Sequence, residues 1–171
     1  VNPGFRGINP IRNQLGYGLS SFYGFKVLGL FQSKAEVDAA PSQIALGAEA
    51  QAGDIRYVDM NNDGVINTSD RTDIGSPIAA STMGFNMQFG YKNFDFVTYL
   101  FASIGNDMVR NYERSLTDVN RLDYVLDRWT GEGTSNSAPR VTTSATSNNV
   151  FSDYFVEDAS FLRIQNIQLG Y

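Results

Sequence analysis

Thr82-Met-Gly-Phe-Asn-Met-Gln-Phe-Gly-Tyr91-Lys-Asn-Phe94 is the stretch of this chain on which the fold turns. Met83, Phe85, Met87, Phe89 and Tyr91 fall on one side of an extended chain, and Thr82, Gly84, Asn86, Gln88 and Gly90 on the other. An unbroken period of two predicts a β-strand with one apolar face. Lys92-Asn93 reads as a tight turn into a second strand over 94–103, which is apolar on both faces and is not oriented by its pattern. Two further strands are predicted outward from this hairpin. Over 19–31, Tyr23, Phe25, Val27 and Phe31 share a face opposite Ser20, Phe22, Gly24 and Lys26. Over 161–171, Leu162 and Ile164 point one way but Ile167, Leu169 and Tyr171 the other, so a bulge near Gln165-Asn166 is expected.

Composition agrees with an all-β reading. The 12 Phe, 9 Tyr and single Trp sit mostly in short segments punctuated by Gly, Asn, Asp and Ser. At 171 residues the chain is long enough for one domain with a sizeable core. Because it begins at Val1 and stops at Gly170-Tyr171 within a strand pattern, it is expected to be a piece of a longer protein. It holds no cysteine and no histidine, which excludes disulfides, thiolate metal sites and Ser-His-Asp or Cys-His mechanisms. A formal net charge of -5 has the wrong sign for neutralising phosphates, so no nucleic-acid partner is expected. No run approaches the ~20 apolar residues of a spanning helix. Barrel strands, however, cross a bilayer with only ~10 alternating residues each.

The spacing between strands is uneven. A two-residue turn joins the second and third strands, whereas the stretches 32–81 and 104–160 are far longer than connections in an ordinary compact domain. Outer-membrane barrels alternate short periplasmic turns with long extracellular loops, which by parity places 32–81 and 104–160 outside the cell. Leu122, Val125, Leu126 and Trp129 at helical spacing predict a short amphipathic helix ending at Gly131. Ser33 as N-cap, Glu36 in the capping-box position and Pro41 as stop predict a second. Residues 131–149, rich in Gly, Ser, Thr and Asn, read as a flexible tip, and no internal repeat is present.

Within the first long connection, Asp59-Met-Asn-Asn-Asp-Gly-Val-Ile-Asn-Thr-Ser-Asp70 matches the twelve-position calcium loop of EF-hand type. Asp59, Asn61 and Asp63 occupy positions 1, 3 and 5, and Gly64 supplies the sharp turn. Val65 offers its carbonyl, Asn67 binds directly or through water, and Asp70 stands at position 12; Ile66 is the apolar residue that tucks inward. Calcium takes six to eight hard oxygens at ~2.3–2.6 Å, which a chain reversing at a glycine can converge from one short segment. An aspartate at position 12, where glutamate is usual, implies weak affinity in the ~10⁻⁴ to 10⁻³ M range. Strand sequence on both sides makes the ion a staple for a long loop rather than a switch. The plainer alternative is an Asn/Asp-rich turn.

Several stretches resemble the SusC/RagA-like TonB-dependent transporters of the Gram-negative outer membrane. They are Ser21-Phe-Tyr-Gly-Phe-Lys-Val-Leu-Gly-Leu-Phe31, Gly53-Asp-Ile-Arg-Tyr-Val-Asp59 running through the calcium loop, Asp70-Arg-Thr-Asp-Ile-Gly-Ser-Pro77, Gly105-Asn-Asp107, and Phe155-Val-Glu-Asp-Ala-Ser-Phe-Leu-Arg-Ile-Gln-Asn-Ile-Gln-Leu-Gly-Tyr171. The resemblance implies that residues 1–171 are an internal part of a 22-stranded β-barrel, from its C-terminal half, with the plug and the barrel end absent. It implies nutrient import of glycans or peptides, a SusD-like surface lipoprotein as lid, energy from the TonB complex, and outer-membrane lipid around the wall.

Two other classes compete. A soluble secreted β-domain held by calcium, such as a carbohydrate-binding module, would bury the same stripes in a sandwich core; a dockerin would carry two calcium loops close together, and this chain has one. No enzyme is expected. Glu157 and Asp158 are neighbours on a strand and point to opposite faces, so they read as solvated charges rather than a glycosidase pair. Arg110, Tyr112, Arg114 and Trp129 are possible substrate contacts, with packing the preferred role. An open barrel piece exposes edges and an apolar stripe, so the isolated chain is expected to aggregate or unfold without detergent.

Overall fold

A computed structural model describes residues 9–111 and 120–171. Among these residues the chain is mostly β, in antiparallel sheets with a few short helical turns. The strands are β1 Ile11–Arg12, β2 Ser21–Gly24, β3 Val27–Leu30, β4 Ile55–Tyr57, β5 Thr72–Gly75, β6 Ser81–Tyr91, β7 Phe94–Ile104, β8 Asp107–Val109, β9 Val156–Asp158 and β10 Phe161–Gly170, with one α-helix, α1, Lys34–Ala39. Only β6, β7 and β10 are long, and they form one sheet in the order β10-β7-β6. The others make small sheets: β1-β2-β5, β3-β4 and β8-β9. No described helix is long and apolar enough to cross a membrane.

The long sheet sorts its residues by chemistry. The turn at Lys92-Asn93 forms as expected, with Lys92 at φ 54°, and sets Tyr91 opposite Phe94. That register puts Met83, Phe85, Met87 and Phe89 beside Ala102, Leu100, Thr98 and Phe96, which orients β7 where its own pattern could not. On β10 the register shifts between Ile164 and Asn166, so the bulge expected near Gln165 is present. Because of it, Leu162 and Ile164 pair with Ala102 and Leu100 while Ile167 and Leu169 pair with Thr98 and Phe96. All four therefore share one face with the apolar residues of β6 and β7. The opposite face carries Thr82, Asn86, Gln88, Asp95, Tyr99, Ser103, Arg163, Asn166 and Gln168, together with Val97, Phe101 and Phe161.

Thr98 stands mid-strand among the apolar residues of this face, and its hydroxyl donates to the Asn166 carbonyl at the bulge, 2.9 Å away. A polar group in an apolar surface is thereby satisfied within the sheet. At the turn end Phe94 and Tyr171 rings stand 5.0 Å apart beside Tyr91. No described element covers the apolar face: Met83, Phe85 and Phe89 are 51%, 56% and 61% exposed. A sandwich core would have buried them.

The segment 19–31 is not the single strand its alternation predicted. It breaks at Phe25-Lys26 into β2 and β3, which lie in different sheets, and neither joins the long sheet. Phe22, Phe25, Leu30 and Phe31 are all buried, a pattern without period two. The physical reason is that this segment is enclosed on several sides by the long connections, so both of its faces find apolar partners. Phe25, Leu30, Ile55, Tyr57 and Ile66 form one core cluster, packed by Val27, Leu46, Trp129, Val150 and Tyr154. Phe22, Phe151 and Phe155 form a second, with Ile74, Val109 and Val156 against it. Residues from both long connections thus share one hydrophobic body.

Two helical expectations had different outcomes. Around 33–41, α1 forms with Ser33 as N-cap accepting from the Glu36 N–H, while the Glu36 carboxylate accepts from Gln32 N–H rather than from the cap residue itself. Around 122–129 the turn is a 3-10 segment, Asp123–Asp127, with Leu122 and Leu126 exposed, so the amphipathic α-helix does not form. Trp129 packs on the core alone, its indole N–H donating to the Gln32 side chain at 3.2 Å.

Residues 131–149 are not a flexible tip either. Ala138, Ser147 and Asn148 are buried, and Asn136 accepts from Leu30 N–H. Asp54, fully buried, accepts from Arg140 Nε at 2.7 Å and Nη2 at 3.1 Å, from Asn148 Nδ2 at 2.9 Å and from Thr146 Oγ1. The Ser, Thr and Asn residues that signalled looseness instead supply the hydrogen bonds that an irregular buried backbone requires. This body is tied to the sheet at one rim: Asp107 N–H donates to Ser76 O, its carboxylate accepts from Ser76 N–H, Ala159 N–H donates to Asn106 O, and Gly105 N–H donates to Ser160 Oγ.

Candidate metal centre

The calcium-type loop emerges from β4 and runs toward β5 through a 3-10 turn, Thr68–Asp70. Its two sharpest backbone positions are Asn62 at φ 59° and Gly64 at φ 82°, the latter at the position where the motif demands glycine. Ile66 is fully buried in the core, as position 8 of the motif requires. The loop is anchored by a backbone bridge to Ser42, earlier in the same connection, with Ile66 N–H donating to Ser42 O at 2.8 Å and Ser42 N–H to Gly64 O at 3.0 Å.

The donors themselves are organised by the loop's own N–H groups. Asp59 Oδ2 accepts from Gly64 N–H at 2.8 Å and Oδ1 from Asp63 N–H at 3.3 Å. Asn61 Oδ1 also accepts from Asp63 N–H, and Asp63 Oδ1 from Val65 N–H at 2.8 Å. The Val65 N–H and the Asn61 amide hold the Asp63 carboxyl below its usual range, keeping it charged. Asn61 and Asp63 are exposed, Asp59 and Asn67 partly so. Asn67 caps the 3-10 turn by accepting from Ser69 N–H at 2.8 Å. Asp70 differs: it is fully buried, accepting from Met60 N–H at 2.9 Å and from Asn67 N–H at 2.8 Å. Among the described residues no three acidic side chains are gathered into a ready-made cage. The oxygens of Asp59, Asn61, Asp63, Val65 and Asn67 suit a hard cation in kind and in sequence position.

Of the other singled-out residues, Arg110 and Trp129 are packing groups. Arg110 lies over the rings of Tyr154 and Phe155, 4.7 and 5.8 Å from their centroids, and pairs with Glu157 at 3.4 Å. Glu157 and Asp158 sit side by side on β9. Tyr112 and Arg114 lie outside the described residues. Ser42, which anchors the loop, and Asp54, which binds the two connections together, carried no sequence signal, because the partners that give them these roles, the loop backbone at Gly64 and Ile66 and the Arg140 side chain, are distant in the chain.

Comparison with known proteins then bears on the whole chain. It is 31% identical to the TonB-dependent receptor P26 of Formosa agariphila over 161 residues, covering 92% of this chain and 16% of the receptor. The chain is homologous to a segment of SusC-like TonB-dependent receptors. The P3 receptor of the same organism is 30% identical over 91% of the chain. The receptor SusC of Bacteroides thetaiotaomicron is 27% identical over 93% of the chain and 14% of its own length. The chain thus spans about a sixth of the length of the curated relatives it matches. No family model matches it. These relatives are receptors, not enzymes.

Proposed function

We propose that this chain forms part of the wall and outer loops of a TonB-dependent nutrient importer in the Gram-negative outer membrane. The observation that carries the reading is the sheet of β6, β7 and β10, whose apolar face from Met83 to Tyr91, Phe94 to Ile104 and Leu162 to Leu169 is covered by no described element. Eleven residues at ~3.4 Å each reach about 35 Å, enough for a tilted strand to pass an apolar band of ~25 Å. Lipid would solvate that face, and the polar face would line the barrel. The body built from the two long connections would then stand outside the cell, with 32–81 and 104–160 contributing most of it.

The cargo class is glycans or peptides, delivered by a SusD-like lipoprotein and imported with energy from the TonB complex, as in SusC-like importers. Calcium, held by the loop that begins at Asp59, would staple the outer body; the donor order, the glycine turn and the buried Ile66 support this. The experiment is deletion of the gene segment followed by growth on defined glycans or peptides with the SusD-like partner present. Loss of growth on one class supports import. Normal growth of the deletion strain on all of them, with the intact protein of the parent strain found in the soluble fraction, favours a secreted carbohydrate-binding domain instead.

A further inference from the structure

Position 12 of the motif carries an unexpected arrangement. Asp70 is fully buried, while Asn61 and Asp63 stand in solvent. Its two oxygens reach opposite ends of the loop: Oδ1 takes the N–H of Met60, next to the first donor, and Oδ2 takes the N–H of Asn67, itself a donor. The Asn67 side chain returns the favour by capping the turn that carries Asp70. A charged acceptor with two short N–H partners in a site shielded from water is strongly held. We propose that Asp70 is a clamp that closes the loop whether or not a cation is bound, and that the ion is left to Asp59, Asn61, Asp63, the Val65 carbonyl and Asn67, with water completing its shell.

This rests on the calcium reading for the identity of the ion, but the clamp itself does not depend on it. It also accounts for aspartate where glutamate is usual. The short arm fits between Met60 N–H and Asn67 N–H, and another methylene in a fully buried side chain would have to displace its neighbours. Asp70 is thus a positioning residue, fixing Asp59 and Asn67 through their own backbone.

The test compares Asp70→Glu, Asp70→Asn and Asp63→Asn in the detergent-solubilised protein. Thermal unfolding is followed in EGTA and in calcium, with amide exchange at Met60 and Asn67 and calcium titration by calorimetry. The expected result is that both Asp70 variants unfold several degrees earlier in EGTA and exchange Met60 and Asn67 amides faster, that Asp63→Asn does neither, and that Asp70→Glu binds calcium no more tightly than the parent. Should Asp70→Glu fail to fold, Asp70→Asn, which keeps one acceptor oxygen, carries the comparison. An Asp70→Glu that binds calcium tenfold tighter with unchanged stability in EGTA overturns the clamp, as does an Asp70→Asn indistinguishable from the parent in EGTA. If the parent takes up no calcium at all, the metal reading falls, and the EGTA measurements still decide the clamp.

Discussion

Asp54 and Asp153 show how far single residues carry the body built from the two long connections. Asp54 is sealed from solvent and holds Arg140 in a forked contact, so removing Arg140 leaves a buried carboxylate without its counter-ion, and removing Asp54 leaves a largely enclosed guanidinium without one. Asp54→Ala and Arg140→Ala are each expected to cost ~3–5 kcal/mol, measurable as a fall in the chemical denaturation midpoint. The double variant is expected to lose much less than the sum. Asp153 acts in the opposite sense. It accepts from Val27 N–H at 2.9 Å, but burial outweighs that bond and raises its pKa. A folded carboxyl with a raised pKa binds its proton more tightly than the unfolded one, so its ionisation destabilises the fold as pH rises through that pKa. Asp153→Asn, which still accepts from Val27, is expected to raise Tm at neutral pH and to make no difference once the medium is acidic enough to protonate the carboxyl in both states. Neither role was legible in the sequence, because an aspartate in a Gly- and Ser-rich stretch looks the same whether its partner is water or an arginine eighty-six residues away.

At the scale of elements, legibility followed exposure. The alternation over 82–91, the two-residue turn and the bulge on β10 were all readable because β6 and β10 each carry apolar residues on one face and polar ones on the other. Period two is then imposed on the residues directly. The segment 19–31 has apolar residues at similar spacing, yet it breaks into β2 and β3 because tertiary enclosure, not a two-sided environment, chose its residues. The same cause hid the order of 131–149. The bulge gives a sharp expectation: deleting Gln165 returns Ile167 and Leu169 to the polar face and prevents assembly of the sheet, seen as loss of the folded, heat-resistant band on gels. Charge placement gives another. Phe85→Lys, on the apolar face near mid-strand, is expected to cost ~2–4 kcal/mol in bilayer unfolding titrations, and Asn86→Lys, its neighbour on the other face, little.

For the whole molecule, the long sheet with its exposed apolar face and the body built from the two long connections meet at one rim, where Ser76, Gly105, Asn106, Asp107, Ala159 and Ser160 exchange hydrogen bonds. The motif over 59–70 was readable in full as a loop, but the part each donor plays depends on burial, which separates Asp70 from the rest. Calcium at ~10 mM against a dissociation constant near 1 mM would stabilise the protein by about 1.4 kcal/mol, and EGTA should remove that increment as a lower Tm. The proposed contact of lipid with one face of β6, β7 and β10 can be measured directly. The chain contains no cysteine, so single cysteines can be placed along β6 without background. Spin labels at Met83, Phe85, Asn86, Met87, Gln88 and Phe89, in protein reconstituted into bilayers, report collisions with oxygen, which concentrates in lipid, and with a polar nickel reagent, which stays in water. A lipid-facing sheet gives a period of two, with oxygen favoured at Met83, Phe85, Met87 and Phe89 and nickel at Asn86 and Gln88; protection of Met83, Phe85 and Phe89 from both probes would mean that protein, not lipid, covers that face.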